Sequence, residues 1–177
     1  MTTTAFGASI KRKEDPRLIT GQGKYVEDIS LIGMLHMVLV RSPFAHAKIK
    51  SIDTSAAEKL PGVVTVFSGK DLEEELGSLP CGWVVPDTKE VPHPPLAVDT
   101  VRYVGDAVLA VIGQSLAIAS DAASLIEVEY EELDSVIDME EAVKDGTIQL
   151  HTDAPNNISF EWEVGDAGSV QEAKSSS

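Results

Sequence analysis

Twice along this chain a strand pattern runs into a short helix and back into a strand, over residues 47–67 and again over 108–130. Helices that short are marginal in water alone and must cover a sheet to persist. That requirement limits the chain to layered folds in which helices lie on a sheet. In the first unit, residues 47–53 read Ala-Lys-Ile-Lys-Ser-Ile-Asp, the period of a half-buried strand. Ala47 and Ile49 share one face; Lys48, Lys50 and Ile52 share the other, which is therefore mixed. Asp53 or Thr54 is placed to cap a helix over 55–60, which Pro61-Gly62 stops. The β-branched run over 63–67 is the returning strand. In the second unit, strands over 101–104 and 108–112 flank Gly105-Asp106. A helix over 116–126 follows, with Leu116, Ala119, Ala122 or Ala123, and Ile126 on one face. Val128 and Tyr130 then alternate with Glu127, Glu129 and Glu131 in a strand with one wet face.

The rest of the chain fits around these units. Residues 34–40 are apolar apart from His36, as in a strand covered on both faces. A short acidic helix is expected over 69–76, another helix over 139–144, and a strand over 158–164. Residues 77–96 hold Gly77, Pro80, Gly82, Pro86, Pro92, Pro94 and Pro95, a long loop of the kind that carries function or moves. The two strand–helix–strand units differ too much to be a repeat. The expected fold is α+β, with helices packed on a mixed sheet.

At 177 residues the chain fits one domain with tails, which can bury roughly 70% of its unfolded surface without a staple. Residues 1–22 are expected to be extended, because Pro16 disfavours helix at Asp15 and Gly21 and Gly23 bracket a turn. Residues 23–164 form the domain, and the polar stretch 165–177 is a flexible tail. No run of about 18 apolar residues could span a membrane. The N-terminal basic cluster follows its few apolar residues, opposite to a signal peptide, so a cytoplasmic location is expected.

The net charge of −15 excludes nucleic acid as a partner, since phosphate binding needs a basic footprint. Beyond Arg102, only Lys144 and Lys174 oppose sixteen acidic residues. This half is either a solubilising face or a surface that meets a basic patch. Lys11, Arg12, Lys13 and Arg17 carry the opposite sign, so the N-terminal arm is either a mobile tail or docked on a neighbour.

Local chemistry is sparse. Cys81 is the only cysteine, so no disulfide closes within the chain and no cysteine cluster holds zinc or iron–sulfur. The Gly21-x-Gly23 pair lacks the helix of a dinucleotide site. His36, His46, His93 and His151 show no metal-ligand spacing and read as structural or surface histidines. Ser42 and His46 form the one nucleophile–base pair worth weighing, but no acidic orienter accompanies them. Arg41-Ser42-Pro43 reads better as a corner whose arginine bonds neighbouring carbonyls. Glu127, Glu129, Glu131 and Glu132 read as a solvated or partner-facing row rather than a metal site. Trp83 and Trp162 are the aromatic residues suited to anchor an interface, Trp83 the better placed.

Several short motifs occur in a telling order. They are Leu18-Ile19-Thr20-Gly21 with Tyr25-Val26-Glu27-Asp28, then Arg41-Ser42-Pro43-Phe44-Ala45-His46-Ala47, Ile52-Asp53-Thr54, Pro61-Gly62-Val63, Val101-Arg102-Tyr103-Val104-Gly105 and Val128-Glu129-Tyr130-Glu131. Together they resemble the start of the large, molybdenum-binding subunit of the xanthine dehydrogenase and aldehyde oxidase family, most of all its carbon monoxide dehydrogenase-type large chains. The resemblance implies an α/β-hammerhead domain. It also implies a holoenzyme that oxidises small molecules at a molybdenum–molybdopterin centre, with [2Fe-2S] and FAD on partner subunits or segments. Family large subunits are several times longer, and their catalytic and pterin-contacting residues lie beyond this stretch. The resemblance therefore assigns no catalytic, cofactor-binding or metal residue here, and no substrate. It implies a hammerhead piece or split subunit that supports the molybdenum-binding remainder and contacts the iron–sulfur and flavin partners. The alternative is a stand-alone, non-enzymatic interaction module that kept the fold. A small metal-free enzyme built on Ser42 and His46 is the third reading.

Overall fold

The structure, a computed structural model, describes residue 7 and residues 9–175. The chain divides into two compact units, residues 1–34 and 35–177.

The first unit corrects the expectation of an irregular N-terminal segment. A helix, α1, spans Asp15–Ile19 with Pro16 in its first turn. Proline is tolerated there because a first-turn N–H has no intrahelical partner to lose. The helix closes in a Schellman motif around Gly21, whose φ is +70°. The Gln22 N–H donates to Arg17 O at 2.7 Å and the Gly21 N–H to Leu18 O at 3.3 Å. The motif Leu18-Ile19-Thr20-Gly21 is thus a helix terminus. A 3₁₀ turn, Val26–Asp28, follows, with the Tyr25 N–H donating to Asp28 Oδ2 at 2.9 Å.

Among the described residues, the second unit holds the six strands. They are β1 (His36–Arg41), β2 (Ala47–Asp53), β3 (Val63–Ser68), β4 (Thr100–Val101), β5 (Ala107–Gly113) and β6 (Glu127–Glu132). Its helices are α2 (Ser55–Glu58), α3 (Leu116–Ala123), α4 (Met139–Ala142) and α5 (Ala167–Ser175). The chain is α+β, as expected, but the single mixed sheet is replaced by two antiparallel sheets, ordered β1-β5-β3 and β4-β2-β6. The cause lies in the two strand–helix–strand units. The first leaves β2 in one sheet and returns as β3 in the other; the second does the same from β5 to β6. Each crossover changes sheet, so neither creates a parallel pair.

Strand β5, the centre of its sheet, is the backbone of the core. Val108, Leu109 and Val111 have no exposed surface. Leu109 and Val108 pack with Ala47 and Val101 of the other sheet, joined by Phe44, Ile49, Ile52 and Tyr130. Val111 packs with Ala57, Ala119 and Ala122 from α2 and α3. The alanines of α3 allow a close approach: a Cβ on Gly113 would lie 3.2 Å from the Ala119 Cβ. Ser115 caps α3 by accepting from the Ile118 N–H at 3.2 Å.

The mixed face of β2 has a specific cause. The ladder with β6 shifts register between Ile49 and Ser51. That bulge turns Ile52 back to the core side, so Ile49 and Ile52 both pack inward while Lys48 and Lys50 face out.

Other elements fall short of their expected lengths. The strand over 101–104 is only Thr100–Val101, because a turn through Gly105, with φ +91°, follows it. The helix over 116–126 ends at Ala123, and Leu116 is exposed. The helix over 69–76 is reduced to a 3₁₀ turn, Lys70–Leu72. At α2 it is Asp53, not Thr54, that accepts the Ser55 N–H, at 2.9 Å. No strand forms over 158–164. Within 165–177, Ala167–Ser175 is helical and wholly unburied, with Asp166 accepting from the Gly168 and Ser169 N–H groups.

Candidate functional site

Arg41, Ser42 and His46 come from the corner between β1 and β2. Ser42 is buried, and its N–H donates to Asp106 O while its carbonyl accepts from the Gly105 N–H, both at 2.8 Å. Its hydroxyl donates to Phe44 O and accepts the Phe44 N–H, each at 3.0 Å. Arg41 Nη1 donates to Gly105 O at 2.8 Å, the carbonyl role expected for it. His46 Nδ1 lies 2.7 Å from Asp134 O. Serine and histidine are each engaged with main-chain groups, Ser42 with Phe44 and His46 with Asp134. The arrangement locks the corner to the turn before β5, and Asp106 completes the lock by accepting the Arg102 N–H at 3.0 Å.

The glutamates of β6 are tied to the neighbouring strand. Glu129 accepts from the Ser51 hydroxyl and Glu131 from the Lys50 ammonium, both at 3.0 Å. The Lys50 bond is the main reason the Glu131 carboxyl sits below its ordinary range. Among the described residues, no group of three or more His, Cys, Asp or Glu side chains could hold a metal ion. A [2Fe-2S] cluster needs four thiolates, and Cys81 supplies one. The described residues of this chain thus fit neither a metal ion nor a [2Fe-2S] cluster.

The loop over 77–96 and the segment over 150–160 enclose a cleft of about 890 Å³. Its walls are mostly apolar, with Leu79, Val84, Val91, Leu150 and Phe160. Three main-chain-anchored contacts hold the walls. The Leu79 N–H donates to His93 O at 2.9 Å; the Lys89 N–H donates to Ser159 O at 2.8 Å; and the Ser159 hydroxyl donates to Lys89 O at 2.9 Å. Asn157 braces the floor from a left-handed backbone, φ +56°. Its carbonyl oxygen accepts from the Leu150 N–H, and its amide donates to Ala142 O and Ile148 O.

At one end His93 and His151 stack with ring centroids 5.8 Å apart. Burial, chiefly, and then the nearby Arg102 charge hold the His151 imidazole below its ordinary pKa. Adjoining the wall residue Phe160, Trp83 packs edge-on against Trp162 at 4.8 Å and against Phe160 at 6.4 Å. Yet Trp83 and Trp162 are 55% and 57% exposed. The sequence singled out both tryptophans but gave no sign that they meet, 79 positions apart. It missed Phe160 and the histidine stack altogether, because only the tertiary fold unites them.

The geometry first defines a class: an α+β domain of two antiparallel sheets sharing one core, with an apolar cleft built from its long loop. Sequence comparison then places it. The family model for the aldehyde oxidase and xanthine dehydrogenase a/b hammerhead domain matches residues 20–134, and the chain belongs to that family. It is 38% identical over 173 residues to the nicotine 6-hydroxylase large subunit of Paenarthrobacter nicotinovorans, covering 98% of this chain and 21% of that one. It is also 38% identical over 174 residues to the carbon monoxide dehydrogenase large chain of Afipia carboxidovorans, covering 91% and 21%. Among solved structures, quinoline 2-oxidoreductase from Pseudomonas putida 86 matches with a TM-score of 0.74 and 45% identity, over 81% of this chain and 18% of that one. The chain thus spans about a fifth of the length of these relatives. No helix among the described residues is long and apolar enough to cross a membrane.

Proposed function

We propose that this chain is the hammerhead part of the large subunit of a molybdenum hydroxylase. It supports the molybdenum-binding remainder of that subunit and contacts iron–sulfur and flavin partners in the cytoplasm. It does not catalyse alone. The observation that carries this reading is the pairing of near-complete coverage of this chain with only a fifth of each relative's length. The surface supports it too. Fully buried positions are mainly alanine and valine, while both tryptophans and many leucines and isoleucines remain exposed. A domain with that distribution has apolar surface left for association. In the assembled enzyme, molybdenum–molybdopterin, [2Fe-2S] and FAD supply the redox chemistry, and this chain's residues supply shape and contact.

Dye-linked oxidation tests the reading. The chain alone and the assembly from its native cells are each offered carbon monoxide, aldehydes, purines and N-heterocycles with an artificial electron acceptor. The expected result is turnover by the assembly on one of these classes and none by the chain alone. Turnover by the isolated chain would overturn the proposal.

A further inference from the structure

We infer that the cleft between residues 78–93 and 150–160, with the aromatic cluster of Trp83 and Trp162 that adjoins its wall at Phe160, is the seat for an apolar segment of the molybdenum-binding remainder of the large chain. This rests on the function proposed above and adds the surface and the character of the contact.

Three observations lead there. Beside the cleft lies a packed aromatic cluster: Trp83 meets Trp162 and the wall residue Phe160 edge-to-face, yet each of the three leaves about half its surface in water. Packed, half-exposed aromatics beside a concave apolar floor are the form of an interface anchor, because side chains already packed together lose less conformational entropy on contact. The cleft is also close to neutral in a strongly acidic chain. Lys89 and Glu90 are its only charged lining residues and offset each other, whereas the chain carries −15. That balance disfavours a basic occupant, which the acidic surface elsewhere would suit better. Finally, several polar groups of the cleft are already engaged. Asn157 uses its side-chain carbonyl oxygen and its amide on main-chain partners, the Ser78 hydroxyl oxygen accepts the His93 N–H at 2.6 Å, and His93 Nδ1 lies 3.2 Å from Val91 O. That leaves fewer of them to orient a small polar ligand, which such pockets need.

The relatives indicate the occupant. They carry about four times as much chain again as the part this one matches. A covalently linked or stably associated neighbour presents its segments at roughly millimolar effective concentration, so a modest apolar contact suffices to fill the cleft.

Cys81, the only cysteine of this chain, lies on the cleft wall and is exposed, with its thiol donating to Trp83 O at 2.9 Å. It reports occupancy directly. The rate of maleimide labelling at the Cys81 peptide is followed by mass spectrometry in the isolated chain and in the assembled enzyme from native cells, with urea-unfolded samples as the full-labelling standard. Labelling is expected to be about tenfold or more slower in the assembly, as for a site that reacts only after local opening. Trp83→Ala with Trp162→Ala is expected to restore fast labelling in the assembly while leaving the isolated chain's circular dichroism unchanged. Equal labelling rates in an assembly that contains the molybdenum-binding remainder would overturn the inference and leave the functional reading standing. An isolated chain that dimerises by light scattering, and loses the dimer with Trp83→Ala, would overturn it in favour of a self-interface. Absence of the remainder from the assembly, seen in the same mass spectra, would remove the functional reading itself.

Discussion

Gly69→Ala provides a quantitative test of the packing between the end of β3 and the chain entering β4. Gly69 is buried and has an ordinary helical backbone, φ −57°, so alanine suffers no conformational strain there. The obstacle is space. An added Cβ would lie 2.3 Å from Ala97 O, 2.7 Å from Ala97 C and 2.9 Å from Leu96 O. All three are main-chain atoms, so no rotamer change relieves them. The closest contact must open by about 0.7 Å, from 2.3 Å to the 3.0 Å below which real Cβ atoms are essentially never found. Both sides resist. Ala97 is held by its N–H donating to Ala107 O at 2.7 Å, and Ser68 is held through its N–H and hydroxyl by Asp71 Oδ2 at 2.8 and 2.7 Å. Overpacking a well-filled interior costs about 1–3 kcal/mol, and a clash among main-chain atoms belongs at the upper end, about 3 kcal/mol. For a chain of this size that lowers Tm by roughly 6–12 °C. Gly77→Ala is the control, since nothing lies within 4 Å of its added Cβ and its φ is not positive; removing unfolded-state freedom there is neutral or stabilising, by up to about 1 kcal/mol. Urea unfolding followed by circular dichroism and tryptophan fluorescence reads both. Equal midpoints for Gly69→Ala and Gly77→Ala would refute the close approach of residue 69 to residues 96 and 97.

Further outcomes follow from other contacts. Asp138→Ala removes the acceptor for the Glu140 and Glu141 N–H groups at 2.8 and 3.0 Å and is expected to cost about 1 kcal/mol in the same assay, with Asp138→Asn costing less. Ala119→Leu drives a larger side chain toward Gly113 and is expected to destabilise by about 1–3 kcal/mol. His151 has a lowered pKa in the folded chain, so the unfolded chain binds the extra proton more readily; stability is full above the ordinary histidine pKa of about 6.5 and declines as pH falls below it toward the folded value. The urea midpoint should therefore fall between pH 7.5 and pH 5.5, and His151→Gln should reduce that fall. Asp71 has a lowered pKa through the Ser68 hydrogen bonds, which places its loss of stability lower, as pH falls below about 3.9; Asp71→Asn should flatten the acid limb there.

What the sequence revealed and concealed divides by the range of the interaction. The apolar run of β5 and the alternation of β6 are local patterns, and both strands form where expected, because burial of one or both faces dictates them. The Arg41 bond to a main-chain carbonyl was legible too, since a polar corner has few other ways to satisfy its groups. The bulge at Lys50 was visible only as a contradiction, an isoleucine on the lysine face, which a strict period of two cannot resolve. The exchange of strands between sheets had no local signal: Ala47–Asp53 and Val63–Ser68 read alike whether the helix between them returns to the same sheet or crosses to another. At α1 the error was one of position, as proline inside a helix and proline in its first turn have opposite consequences. The cleft depends on pairings such as Trp83 with Trp162 and His93 with His151, so each residue drew attention singly and their union did not.

The most direct measurement of the central claim is to isolate this chain from its native cells by a mild tag, identify every polypeptide that comes with it by mass spectrometry, and quantify molybdenum in the same sample. A molybdenum hydroxylase large subunit predicts molybdenum together with the molybdenum-binding remainder and with iron–sulfur and flavin polypeptides. A bare chain, free of molybdenum and of any such remainder, would contradict the account.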